Sequence, residues 1–148
     1  MSIPFRLLIP QEIYRRLLAH AQAELPNECC GLLAGKSSAE EGPASANPIR
    51  QALDYYPLKN AADSPVEYLS DPRSMFEAVR EMRRLGREIV AVYHSHPSSA
   101  PVPSRTDLER NYSEEVMNLI VGLSDAEPLM RGWWLTSGGY TEGEWQLE

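Results

Sequence analysis

The apolar, β-branched run EIVAVYH, residues 88–94, reads as a strand, and it leads straight into His94-Ser95-His96-Pro97. Side chains two apart on a strand share a face, so both imidazoles converge on one point where the strand ends. Pro97 cannot donate to a ladder and stops the pairing there, which leaves that point open to solvent rather than buried in a sheet.

The rest of the chain supplies elements to surround that strand. Residues 3–8 read as a short strand, and Pro10 opens a helix with Ile13, Leu17 and Ala21 on one face, broken by Pro26 and Asn27. The run CCGLLAG reads as a buried strand, and the polar stretch KSSAEEGPASANP as a surface loop. IRQALDYYPL alternates weakly and reads as one strand, followed by the loop NAADSPVEY. Asp71 and Pro72 start a second helix, whose apolar face is Met75, Phe76, Val79, Met82 and Leu85 and whose stop is Gly86. A short helix follows from about Ser104 to Tyr112, then strands at MNLIVGLS and RGWWLT. Ser137-Gly138-Gly139 reads as the hairpin turn into YTEGEWQLE. Strands mixed with a few helices predict an α/β domain, with α+β as the alternative, built around one sheet.

The 148 residues suit one domain, 1–148, able to bury roughly two-thirds of its unfolded surface. A formal net charge of −7 disfavours attraction to nucleic acid or to an anionic membrane. No apolar run approaches bilayer length, and MSIPFRLLIPQE lacks the features of a secretory leader, so a soluble cytoplasmic protein is expected. The two cysteines, Cys29 and Cys30, are neighbours and cannot build a disulfide framework.

Zinc sites that do chemistry take three protein ligands and keep a fourth position for water, so His94 and His96 need a third partner. Asp107 is the candidate. Ser104 follows Pro103 and suits the N-cap of the short helix, which puts Asp107 at the third helical position, on the first turn. The Pro97–Pro103 loop is long enough to fold that turn back over the strand end. Glu109, a rival ligand, points to another face of the helix. The plainer alternative is that Ser104-x-x-Asp107 is only a capping arrangement. His20 has no partner at a useful spacing and reads as a surface residue.

His94-Ser95-His96-Pro97, then Ser104, then Asp107 is similar, position for position, to the JAMM motif of the MPN-domain metalloproteases. PNECCGLLAG resembles the segment that carries that motif's glutamate, which places the role on Glu28. The likeness extends more loosely through YPLKNAADSPVEYLSDP and the helix after it, to about Leu123. It implies a central mixed sheet flanked by helices, cytidine-deaminase-like, with Zn²⁺ held by His94, His96 and Asp107. It also implies Glu28 as general base, Ser104 as hydrogen-bond donor to the oxyanion, and hydrolysis of the amide after a ubiquitin-like protein's C-terminal Gly-Gly tail. The chain resembles the compact bacterial branch, whose members act on ubiquitin-like sulfur carrier proteins. Glu88, roughly 20 Å up the strand from His94, is too far away to serve as the base; Glu24 and Glu67 remain open.

Two other classes compete. A cysteine peptidase would use Cys29 or Cys30, but a buried apolar run is a poor setting for a thiolate. A non-catalytic MPN scaffold is the other, although here every ligand position is filled. Trp133 and Trp134 face opposite sides of a strand, so one is expected in the core and the other exposed or at an interface; core packing is the first reading, and contact with substrate or with the second copy of a homodimer the alternative. Arg80, Arg83, Arg84 and Arg87 read as a solvated helix end, with an acidic partner as the alternative.

Overall fold

The computed structural model describes residues 4–37 and 48–148, so nearly all of the polar stretch 36–48 lies outside the described residues. In chain order the elements are β1 (Arg6–Ile9), α1 (Gln11–Ala23), β2 (Cys30–Lys36), β3 (Ile49–Gln51), β4 (Asp54–Leu58), α2 (Pro72–Leu85), β5 (Arg87–His96), α3 (Arg105–Glu109), β6 (Met117–Gly122), β7 (Leu129–Thr136), β8 (Gly139–Gly143) and β9 (Trp145–Leu147). A six-stranded sheet runs β4-β2-β5-β6-β7-β8, with β5 and β6 parallel and the other neighbours antiparallel. It is the mixed sheet of an α/β fold.

Alternation along β5 sorts the core onto two faces. Ala91 and Tyr93 pack with Leu33, Leu119 and Trp134 against Ile13, Leu17 and Ala21 of α1. Val92 packs with Cys30, Leu32 and Ala34 against Ala78 and Met82 of α2. His94 and His96 continue the Val92 face, so both histidines lie on the α2 side of the sheet.

Expectation and structure part company in four places. The run IRQALDYYPL is two strands in two sheets: the Ala52 N–H donates to the Leu8 carbonyl at 2.9 Å and the Leu53 N–H to the Ala34 carbonyl at 2.8 Å. The chain therefore crosses from one sheet to the other within two residues, which weak alternation cannot reveal. YTEGEWQLE divides likewise, and β9 joins β1 and β3 in a small parallel sheet, order β3-β1-β9. On α2 the buried line is Ala78 and Met82 with Met75 beside it, whereas Phe76 is 66% exposed and Leu85 37%. Phe76 sits one residue, about 100° of helix, away from Met75 and so points outward. The ends of α2 follow the sequence: the Asp71 carboxylate accepts from the Ser74 N–H at 3.0 Å, and Gly86 closes the helix at φ 69°. Both tryptophans are buried, Trp134 against Phe5 and Trp133 with Ile120 and Leu135, so neither offers the exposed contact expected of one of them.

Candidate active site

Three ligand atoms meet at the end of β5. His94 Nε2 and His96 Nε2 are 3.2 Å apart, and Asp107 Oδ2 lies 3.2 Å from each. They form a group that could hold a metal ion. The histidines are more enclosed than a strand end facing solvent would make them, at 1% and 5% exposure. The His94 ring is stacked on Tyr68 with centroids 4.7 Å apart, and its Nδ1 has no hydrogen-bond partner among the described residues. His96 Nδ1 lies 2.8 Å from the Ala100 carbonyl, which can only accept; in the neutral ring the hydrogen therefore sits on Nδ1 and the Nε2 lone pair faces the site, whereas the protonated ring donates from both nitrogens.

The cap and the ligand turn out to be one arrangement. Ser104 Oγ accepts from the Asp107 N–H at 3.1 Å, and Asp107 Oδ2 accepts from the Ser104 N–H at 2.9 Å, a complete capping box. The box fixes the aspartate rotamer, and the folded-back loop turns that rotamer toward the imidazoles. Burial works against the Asp107 charge, but hydrogen bonds from His94 and His96 outweigh it and hold the carboxyl well below the usual carboxylate range. Burial also opposes a charged His96, yet its contacts with Asp107, the Ala100 carbonyl and Glu28 raise its pKa above the ordinary value.

Strand register places Glu28. Cys30 lies opposite His94 in the β2–β5 pair, and the Ser95 N–H donates to the Cys29 carbonyl at 3.2 Å. One step further brings Glu28 opposite His96, on the same face as both histidines. Glu28 is 4% exposed, and its Oε1 has no partner among the described residues. Burial pushes its carboxyl up to about 8; His96 pulls against this, while Asp107 and Glu67 add to it.

Comparison with known proteins identifies the family. Residues 10–136 match the model of prokaryotic homologs of the JAB domain. The chain belongs to the prokaryotic JAB family. It is 36% identical over 110 residues to the desampylase of Haloferax volcanii, covering 71% of this chain and 72% of that one. It is 28% identical over 137 residues to the CysO-cysteine peptidase of Mycobacterium tuberculosis, covering 92% and 87%. A solution structure of a Desulfitobacterium hafniense protein superposes with a TM-score of 0.81 at 29% identity, covering 96% and 92%.

Within this JAB fold three of the four competing carboxylates fall elsewhere. Glu88 pairs with Arg50 at the far end of β5, Glu109 pairs with Arg105 at the surface, and Glu24 lies 3.7 Å from His20. Glu67 is close enough to Glu28 to raise its proton affinity, and is itself 3.8 Å from Arg110. Cys29 and Cys30 are each 1% exposed, and burial pushes both thiols up to about 12, which suits small core residues rather than a nucleophile. His20 is no surface residue: it is partly buried, with Nδ1 2.8 Å from the Tyr93 hydroxyl. In the arginine cluster, Arg84 pairs with Glu81, while Arg87 belongs to β5 and pairs with Asp54. No helix among the described residues is long and apolar enough to cross a membrane.

Several supporting residues carried no sequence signal. Ser95, between the histidines, points to the opposite face, where its Oγ accepts from the Cys29 N–H at 2.8 Å and so anchors the residue after Glu28. Trp133 Nε1 donates to the Pro101 carbonyl at 2.9 Å, pinning the loop that carries Ala100 and leads to Ser104. A Cβ on Gly122 would lie 2.7 Å from Pro101 Cδ, so a glycine is what lets that loop lie on the sheet. A cavity of about 220 Å³, lined in part by Tyr68, Leu69, Met75, Val92 and Arg110, reaches Asp107.

Proposed function

We propose that this protein acts in the cytoplasm, as one 1–148 domain, as a zinc-dependent peptidase or isopeptidase. Its substrate is the amide bond that follows the C-terminal Gly-Gly tail of a ubiquitin-like sulfur carrier protein. The observation that carries the reading is the His94, His96 and Asp107 triangle with, on the same face, the buried carboxylate of Glu28, whose Oε1 has no hydrogen-bond partner among the described residues. Zinc fits the triangle, because a tetrahedral ion with bonds of ~2.0–2.1 Å sets neighbouring ligand atoms roughly 3.3 Å apart. The printed names of the relatives, a desampylase and a CysO-cysteine peptidase, support the substrate class.

A zinc ion bound there supplies the positive charge that polarises the scissile carbonyl and acidifies a water at neutral pH. Glu28 takes the proton of the attacking water and returns it to the leaving amine; a carboxyl poised near neutrality suits both transfers. Ser104 Oγ already accepts from the Asp107 N–H, so its own hydrogen is available to donate to the developing oxyanion. The narrow cavity beside Asp107 suits an extended tail without side chains.

The test is cleavage of several sulfur carriers extended beyond their Gly-Gly, by zinc-loaded wild-type and Glu28→Gln protein. Cleavage by wild-type, slowed by a factor of about 10² to 10⁴ in the variant, which retains zinc, is expected. No cleavage of any carrier by the zinc-loaded wild-type removes the proposed substrate class.

A further inference from the structure

The segment after β4, beginning Asn60-Ala61-Ala62-Asp63-Ser64, contributes no metal ligand and neither of the proposed catalytic groups, yet one side chain in it uses its whole hydrogen-bonding capacity. Asn60 Nδ2 donates to the Glu28 carbonyl at 3.0 Å and to the Glu67 carbonyl at 3.1 Å. Its Oδ1 accepts from the Ala62 N–H and from the Leu69 N–H, each at 3.0 Å. A primary amide has two donor hydrogens and two acceptor lone pairs, and all four are engaged. The backbone of Asn60 also bridges to Ser70, closing the loop on itself.

Both main-chain groups of Glu28 are held by this loop. Its carbonyl accepts from Asn60, and its N–H donates to the Ser64 carbonyl at 2.9 Å. The carboxylate has no hydrogen-bond partner at Oε1 among the described residues, so its aim depends on where the backbone is held. The same loop carries Tyr68, which stacks on His94, and Leu69, which lines the cavity reaching Asp107. A single planar amide thus joins the residue bearing the carboxylate, the ring that backs a metal ligand and a wall of the groove.

We propose that Asn60 is a positioning residue that fixes Glu28 for proton transfer, its two N–H donors aiming the base and its oxygen holding the groove wall. The inference rests on the reading of Glu28 as the base. Two variants separate the two halves of the amide. Asn60→Asp keeps the acceptor for Ala62 and Leu69 but turns its second oxygen toward the Glu28 and Glu67 carbonyls; Asn60→Ala removes both functions.

The experiment uses the zinc-loaded full chain and an extended sulfur carrier. Asn60→Asp is expected to bind zinc one to one, to lose at least about tenfold in kcat and to keep KM within about threefold. Asn60→Ala is expected to lose kcat and raise KM. On a Glu28→Gln background, single-turnover rates should no longer respond to Asn60→Asp, since a residue acting through Glu28 adds nothing once Glu28 is disabled. Amide hydrogen exchange needs no substrate: in Asn60→Asp the Glu28 N–H should exchange at least about tenfold faster while the Leu69 N–H stays protected. Unchanged Glu28 protection, a kcat within twofold of wild-type, an equal loss in both backgrounds, or loss of zinc or fold in both variants overturns the proposal. A wild-type chain that cleaves no carrier sinks the substrate assignment instead and leaves the exchange result to decide on Asn60.

Discussion

Replacing Glu28 by Gln should make the metal-free protein more stable while it slows turnover severely. The carboxyl is buried, with no partner at Oε1 among the described residues, and burial raises its pKa from 4.5 to about 8. The unfolded chain gives up this proton near 4.5 while the folded chain keeps it to about 8, so between those values the folded state binds more protons and loses stability as pH rises. At pH 7 the gap amounts to about 3 kcal/mol, and glutamine, neutral at every pH, escapes it. For a chain of this size that corresponds to a gain of roughly 6–12 °C in Tm. Thermal unfolding of chelator-treated wild-type and Glu28→Gln protein from pH 4.5 to 8 measures it. The variant's advantage should be near zero at pH 4.5 and grow steadily to pH 8. In the zinc-loaded proteins kcat should fall by a factor of about 10² to 10⁴. A variant no more stable at pH 8, or one whose advantage grows toward acid, would refute the assignment of a desolvated carboxylate, whatever happened to activity.

Ser104→Ala removes the acceptor for the Asp107 N–H and should cost about 1 kcal/mol in denaturant unfolding. If the freed hydroxyl hydrogen serves the oxyanion, kcat should drop about 10² to 10³, and a loss below threefold would remove that role. A strong chelator should abolish activity and added zinc restore it, whereas a thiol alkylating agent should leave the native enzyme untouched, because Cys29 and Cys30 are buried. Gly122→Ala forces a Cβ to within 2.7 Å of Pro101 Cδ, so it should lift the loop behind His96. Competition with a chromogenic chelator should show zinc affinity weakened about tenfold, with a stability loss of about 1–3 kcal/mol.

How much of this was legible in the sequence depends on the range over which each signal acts. The α1 face, the Asp71 cap, the Gly86 stop and the capping box at Ser104 and Asp107 are written in neighbouring residues, and the structure carries them as read. His94 and His96 share a face because strand alternation is local, and the motif named Asp107 before any fold was at hand. What failed was nonlocal. The switch at Ala52 and Leu53 is set by hydrogen bonds to Leu8 and Ala34, residues distant in sequence. Trp133 is buried because the Pro101 loop covers it, and His20 on α1 is tied down by Tyr93 of β5, which is distant in sequence. Glu28 needed both kinds of information: the motif nominated it, and only the Cys30–His94 register puts it on the histidine face. Asn60, whose four partners span residues 28 to 69, gave no local sign.

The direct test of the metal site is a crystal structure of the zinc-loaded protein with anomalous data at the zinc edge. The account predicts one zinc bound by His94 Nε2, His96 Nε2 and Asp107 Oδ2 at ~2.0–2.2 Å, with the Glu28 carboxylate facing the remaining coordination position. Zinc bound at other residues, or an Asp107 carboxylate turned away from the two imidazoles, would contradict it.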